Sequence, residues 1–208
     1  MNNPEVEIVP MQQEHVNDTV QIHLDSFPNF FSTFLGPDYV SIVYTEILKL
    51  PDHVAWVAKD ANQGVVGFVI GITEQSSFFA HMARKHWLNI AMASVRAVFR
   101  RPQIILRLFR ALLYPQKSRQ ASAQALLLSI AVLPACSGAG TGQKLLQAFL
   151  RDMKERNVPA VCLTTDAEGN ERTNRFYQQA GFTVTRTYAT AEGRRINEYL
   201  LKLTGEAS

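Results

Sequence analysis

Three glycines at positions 138, 140 and 142 are the residues of this 208-residue chain best suited to hold an anion. They follow an apolar run, residues 126–132, that is rich in aliphatic residues and reads as a buried strand ended by Pro134. Downstream, Leu145, Leu146, Phe149 and Leu150 recur at helical spacing, so a helix begins within or just after the glycines. Strand, glycine loop and helix start bring unpaired backbone N–H groups and the positive end of a helix dipole to one spot. Glycine there lets a phosphate come close to the main chain. The alternative is a plain tight turn. Two familiar phosphate loops are excluded by spacing. A P-loop needs Gly-Lys-[Ser/Thr] five residues after its first glycine, but position 143 is Gln and Lys144 precedes Leu145. The dinucleotide fingerprint G-x-G-x-x-G is here G-x-G-x-G, late in the chain and with no βαβ unit before it.

Other reactive side chains offer less. Cys136 and Cys162 are isolated, and no two histidines share a metal-ligand spacing, so no metal site is expected. Two cysteines are too few for a disulfide framework and suit a reducing compartment. The chain opens without a basic and apolar leader, and its longest apolar run is too short to span a bilayer. A cytoplasmic location is the expectation. The length fits a single domain over 1–208 with an insertion. Net charge is +3, but its distribution is uneven. No acidic residue falls between Glu74 and Asp152, while Arg84, Lys85, Arg96, Arg100, Arg101, Arg107, Arg110, Lys117 and Arg119 all do.

The elements that would position the loop can be read in order. Val6 and Ile8 alternate in a short first strand before Pro10. Residues 11–25 carry Val16, Val20 and Leu24 as a helical stripe, and Asp38 can cap a second helix reaching Leu50. Between them, residues 27–37 are dense in phenylalanine and bounded by Pro and Gly. They form either a buried loop or short helix, or an apolar wall of a ligand pocket. Residues 53–59 and 65–73 read as a hairpin, with Gly67 and Gly71 marking bulges or a close approach. Residues 78–119 read as two helices broken at Pro102. Their arginines fit a solvated lid, a wall for a phosphate-bearing acceptor, or a helix on an anionic membrane surface. Nucleic-acid binding is not expected, since no helix-turn-helix or zinc pattern accompanies the charge. A strand over 160–165, a helix from Asn170, and strands over 183–190 and 195–203 complete the chain.

The glycine stretch resembles the acyl-CoA loop of the GNAT-type N-acetyltransferase superfamily, [Arg/Gln]-x-x-Gly-x-[Gly/Ala] after a strand ending Val-x-Pro. Here Val132-Leu133-Pro134 is followed by Ser137-Gly138-Ala139-Gly140-Thr141-Gly142, with Ser137 where Arg or Gln is usual. A second match lies downstream. The family's Asn-x-x-Ala-x-x-[Phe/Leu]-Tyr-x-x-x-Gly-Phe appears as Asn170-x-x-Thr173-x-x-Phe176-Tyr177-x-x-x-Gly181-Phe182. The resemblance covers most of the chain except residues 78–119. It implies a mixed α/β fold with a twisted, mostly antiparallel sheet flanked by helices, whose fourth and fifth strands part to admit acetyl-CoA as co-substrate. It further implies that the strand edge at Ile130, Ala131 and Val132 pairs with the pantetheine arm. The amides of Ser137, Gly138, Ala139, Gly140, Thr141 and Gly142 would hold the pyrophosphate, Asn170 would contact the arm, and Tyr177 would act as general acid.

The implied reaction is transfer of acetyl to a primary amine of a small molecule, such as an amino sugar. Protein N-terminal acetylation and a non-catalytic CoA-binding or membrane-surface module are the alternatives, and two copies associating is a further partner reading. No carboxylate lies on the fourth strand. The base is therefore sought among His23, Asp25, Glu46, His53 and His81, or in a chain of water. At pH 7 an α-amine of pKa ~7.8 is roughly 14% neutral and a lysine of pKa ~10.4 about 0.04%. That favours an α-amine or amino sugar.

Overall fold

The computed structural model describes residues 6–28, 30–73, 82, 84–86, 124–190 and 193–203. The basic stretch 78–119, with its three readings, lies outside the described residues apart from residues 82 and 84–86. Strand β1 (Glu7–Pro10) leads into a one-turn 3-10 segment and helix α1 (Val16–Ser26). The short helix α2 (Phe31–Leu35) and then α3 (Pro37–Leu48) follow. Strands β2 (His53–Asp60) and β3 (Gly64–Ile72) form the hairpin. The second half comprises β4 (Gln124–Val132), α4 (Thr141–Glu155), β5 (Ala160–Asp166), α5 (Glu171–Gln179), β6 (Thr183–Ala189) and β7 (Arg195–Lys202).

The strands form one sheet in the order β1-β2-β3-β4-β5-β7-β6. Every pairing is antiparallel except β4 with β5. This is the mixed α/β, mostly antiparallel arrangement expected from sequence. The first helix starts at Val16 rather than near Met11. Gln12 is extended and its N–H donates to His15 Nδ1 at 3.0 Å, which closes a tight turn ahead of the helix. The phenylalanine-rich stretch supplies α2.

Both faces of the central strands are covered, so β3 is apolar throughout rather than alternating. On one face α4 seats Leu145, Leu146, Phe149 and Met153 against Val66, Val69 and Val161. On the other, Val16 and Val20 of α1 and Tyr44 and Ile47 of α3 pack on Phe68 and Ile70. The glycines of β3 do mark a close approach. A Cβ on Gly67 would stand 2.9 Å from Ala131 O and 3.2 Å from Leu145 Cδ1, and one on Gly71 would stand 2.5 Å from Phe149 Cε2. Met82 is buried with the α1/α3 cluster, and the Lys85 ammonium reaches Glu46 Oε2 at 2.8 Å.

Candidate active site

Strands β4 and β5 share the register pairs Gln124↔Ala160, Ala125↔Val161 and Leu126↔Cys162 and then part. Beyond that point β4 follows β3 to Val132 and β5 follows β7 to Asp166. Ile70 faces Ser129 and Gly71 faces Leu127, so Leu128 is an extra residue on β4. A bulge bends its strand and increases the twist, and this one falls where the β4–β5 pairing ends. Among the described residues, the main-chain edge at Ile130, Ala131 and Val132 has no strand partner on the β5 side and suits an extended ligand that offers its own amides.

At the end of that edge the chain turns into the glycine loop. The Leu133 N–H donates to Val66 O at 2.8 Å, and Pro134–Cys136 make a single 3-10 turn held by the buried Cys136. Gly138 (φ 90°) and Gly140 (φ 80°) then adopt the left-handed region, where a side chain would be strained though it would meet open space. A Cβ on Gly142 would make only ordinary contacts, at 3.8 Å, with Phe176 and Val132. Helix α4 starts at Thr141, and the Lys144 N–H is the first to bond back, to Gly140 O at 3.0 Å. The N–H groups of Thr141, Gly142 and Gln143 therefore lack an intrahelical acceptor, at the positive end of a 15-residue helix. The exposed Ser137 donates its hydroxyl to Leu133 O at 3.4 Å, so the donor set here is almost wholly main-chain.

Opposite lies the start of α5. Asn170 precedes the helix, and its Nδ2 donates to Thr165 Oγ1 at 2.7 Å. Its Oδ1 has no hydrogen-bond donor among the described residues. Tyr177, two turns on, is 5% exposed, with its ring centroid 5.3 Å from Phe176, 5.7 Å from Phe182 and 5.9 Å from Tyr199. Its hydroxyl also has no hydrogen-bond partner among the described residues. Burial, reinforced by Tyr199, raises its pKa above that of an ordinary phenol, so the group keeps its proton.

Sequence reasoning missed Asn174. Its Nδ2 donates to Asp166 O and Asn170 O, both at 2.9 Å, and its Oδ1 accepts from Asn197 Nδ2 at 3.0 Å and Tyr199 Oη at 2.8 Å. This one amide ties the end of β5, the start of α5 and β7 together. An Asn inside a short helix, where it is a poor helix former, was the available signal.

The base candidates separate cleanly. Glu46 is drawn down to about 2 by hydrogen bonds from Lys49 and Lys85, against the opposing effect of burial. Asp25 is exposed, His53 bonds Leu50 O through Nδ1 at 2.5 Å, and His81 lies outside the described residues. His23 is buried, with Tyr44 Oη 2.6 Å from Nδ1 and Ser32 Oγ 2.9 Å from Nε2. Beside it the Phe27 ring lies 4.9 Å from the His23 ring and the Phe30 ring 4.9 Å from that of Phe27, each pair tilted. The Arg194 guanidinium lies 5.5 Å from the Phe30 centroid while it grips Asp166 with both oxygens accepting. The aromatic stretch thus meets the β6–β7 turn near the end of β5. Among the described residues no helix is long and apolar enough to cross a membrane, and no group of three or more His, Cys, Asp or Glu could hold a metal ion.

The family model for the acetyltransferase (GNAT) family matches residues 16–182. No curated protein matches the sequence. Among solved structures, NAA60 from Arabidopsis thaliana in complex with acetyl-CoA is similar with a TM-score of 0.62 at 16% identity, over 97% of this chain and 100% of that one. The ribosomal-protein-S18-alanine N-acetyltransferase from Escherichia coli gives 0.59 at 14%, over 98% and 99%. The spermidine/spermine N-acetyltransferase SpeG from Vibrio cholerae gives 0.56 at 12%, over 97% and 94%. At these identities the likeness is one of fold.

Proposed function

We propose that this chain, which belongs to the acetyltransferase (GNAT) family, transfers the acetyl group of acetyl-CoA to the primary amine of a small molecule. The observation that carries the reading is the gap between β4 and β5, closed at one end by the free N–H groups that open α4. A pyrophosphate suits that end, since its charge meets main-chain donors and a helix dipole. An arm with its own amides suits the edge at Ile130, Ala131 and Val132, where strand-like pairing needs no particular side chain. Asn170 Oδ1 is available to accept from the same arm.

The chemistry follows from the Tyr177 hydroxyl, which has no hydrogen-bond partner among the described residues and lies in an apolar ring cluster. The amine nitrogen forms a bond to the thioester carbon as the carbon–sulfur bond breaks. Tyr177 gives its proton to the departing thiolate and takes one back from the nitrogen. Its raised pKa keeps the proton on the hydroxyl until the thiolate takes it, so it serves as acid, a contribution of about 10²–10⁴-fold.

Acceptors of the structural neighbours span a polyamine and a protein α-amine, so the alternative of protein N-terminal acetylation is tested alongside. Calorimetric titration with acetyl-CoA, with CoA and ATP as controls, examines the donor site. A thiol-release assay then compares amino sugars, polyamines and short peptides with free α-amines. Acetyl-CoA and CoA binding far more tightly than ATP, with thiol released on an amino sugar or polyamine, supports the reading. Release on peptides alone moves the acceptor to a polypeptide. No heat with any nucleotide reduces the glycine loop to a turn.

A further inference from the structure

An amine reaches the cleft mostly as its ammonium, and a proton must leave before nitrogen can attack. Among the described residues the buried carboxylate of α3, Glu46, is occupied by Lys49 and Lys85 and is a very weak base. The α1/α3 side of the sheet instead holds a line of four groups. Ser129 sits on β4 directly after the bulged Leu128, where that strand has already left β5. Its side chain lies beside the hydroxyl of Tyr44, which is 3% exposed. Tyr44 Oη is 2.6 Å from His23 Nδ1, and His23 Nε2 is 2.9 Å from Ser32 Oγ at the half-buried start of α2.

The geometry points to His23 as the centre of a relay that carries the acceptor's surplus proton from Ser129, at the splayed edge of β4, to Ser32 at the surface. The inference rests on the acetyltransfer reading and goes beyond it, since it assigns the base role that reading leaves open. A histidine held for packing commonly has a carboxylate or carbonyl on one nitrogen, which fixes the tautomer. Here both nitrogens face hydroxyls, and each hydroxyl can donate or accept. Two arrangements of equal bonding result: hydrogens all directed from Ser129 toward Ser32, or all reversed. Burial holds the ring down to about 4, so near neutral pH one nitrogen always remains an acceptor.

The proton balance is simple. The ammonium gives one proton to Ser129 Oγ, whose own passes to Tyr44 Oη. The Tyr44 proton passes to His23 Nδ1, the Nε2 proton passes to Ser32 Oγ, and Ser32 releases one to water. The freed amine attacks as above. After product leaves, a proton entering at Ser32 and leaving from Ser129 into the emptied cleft restores the first arrangement. The net result is one proton from the amine to bulk water. His23 acts through Tyr44 and Ser129 and is a positioning residue.

The test compares the wild-type chain with Ser129→Ala, Tyr44→Phe and His23→Gln, using acetyl-CoA and whichever amine of the panel above is acetylated, in H₂O and in D₂O. The expected result is a fall in kcat of about tenfold or more in each variant. KM for acetyl-CoA should stay within about twofold, and the solvent isotope effect should change from its wild-type value. Ser129→Ala removes one half-exposed hydroxyl and carries the test if His23→Gln does not fold. A Ser129→Ala or Tyr44→Phe protein with unchanged kcat and isotope effect overturns the relay while leaving acetyltransfer intact. A wild-type protein that acetylates none of the amines overturns acetyltransfer and the relay together.

Discussion

The Tyr199 hydroxyl donates to Asn174 Oδ1 at 2.8 Å, while its ring neighbour Tyr177 keeps a hydroxyl with no partner among the described residues. The proposed mechanism gives these two tyrosines of one apolar cluster different roles, Tyr199 a structural one and Tyr177 a reactive one. Tyr177→Phe should lower kcat by about 10²–10⁴-fold with melting temperature and acetyl-CoA affinity retained. Tyr199→Phe should do the reverse, with a stability loss of about 1 kcal/mol and kcat little changed. Steady-state kinetics and thermal melts on the two variants check the pair. Equal kinetic losses in both would remove the distinction.

At the glycine loop, Gly140→Asp places a carboxylate where the first α4 amides lack an intrahelical acceptor. Aspartate tolerates the left-handed backbone better than most residues and is a good helix cap, so folding should survive. Its charge would occupy the donors and repel phosphate. Acetyl-CoA affinity should weaken at least about tenfold, near 1.4 kcal/mol, as read by calorimetric titration.

Packing of α4 on the sheet gives a stability prediction. In Gly71→Ala the new methyl would stand 2.5 Å from Phe149 Cε2 and 2.7 Å from Leu126 O, and neither a buried ring nor a strand carbonyl yields cheaply. A loss of about 1–3 kcal/mol is expected, lowering Tm by roughly 2–4 °C per kcal/mol. Gly142→Ala, meeting only 3.8 Å contacts, should melt close to wild type.

His23 sets a pH dependence of folding. Its value falls from an ordinary 6.5 to about 4 on burial. Between those limits the unfolded chain carries the proton and the folded chain does not. Stability is therefore full above 6.5 and declines as pH falls toward 4, by about 3 kcal/mol in all. Urea denaturation across that range should show the slope, and His23→Gln should flatten it. Glu46, lowered to about 2, acts in a different window: its contribution is present above 4.5 and lost as pH falls toward 2. A slope confined to the lower window would assign the effect to Glu46.

What could be read in the sequence was local. The glycine loop announces itself because Pro134, three glycines and the apolar face of α4 lie within twenty residues of one another. Asn170 and Tyr177 share one helix and its start, and Gly67 and Gly71 advertise a close neighbour without naming it. The residues that escaped depend on distant pairings. His23 and Tyr44 are 21 positions apart on different helices, and nothing in either segment's periodicity joins them. The bulge at Leu128 is invisible because Leu127, Leu128 and Ser129 fit a regular strand equally well, and only the register against β3 shows the extra residue.

The splay of β4 from β5 also makes the sheet a seam. Residues 124–126 and 160–162 alone zip its two halves together through register pairs. A donor lying along the parted edges would act as a brace between halves that otherwise open with some independence. The β4 amides past Leu126 that face the β5 side, rather than those paired with β3, should exchange with solvent readily in the free protein, and a bound acetyl-CoA should slow exchange in β4 and in β5 together. The co-substrate would then be part of what holds the enzyme in one piece.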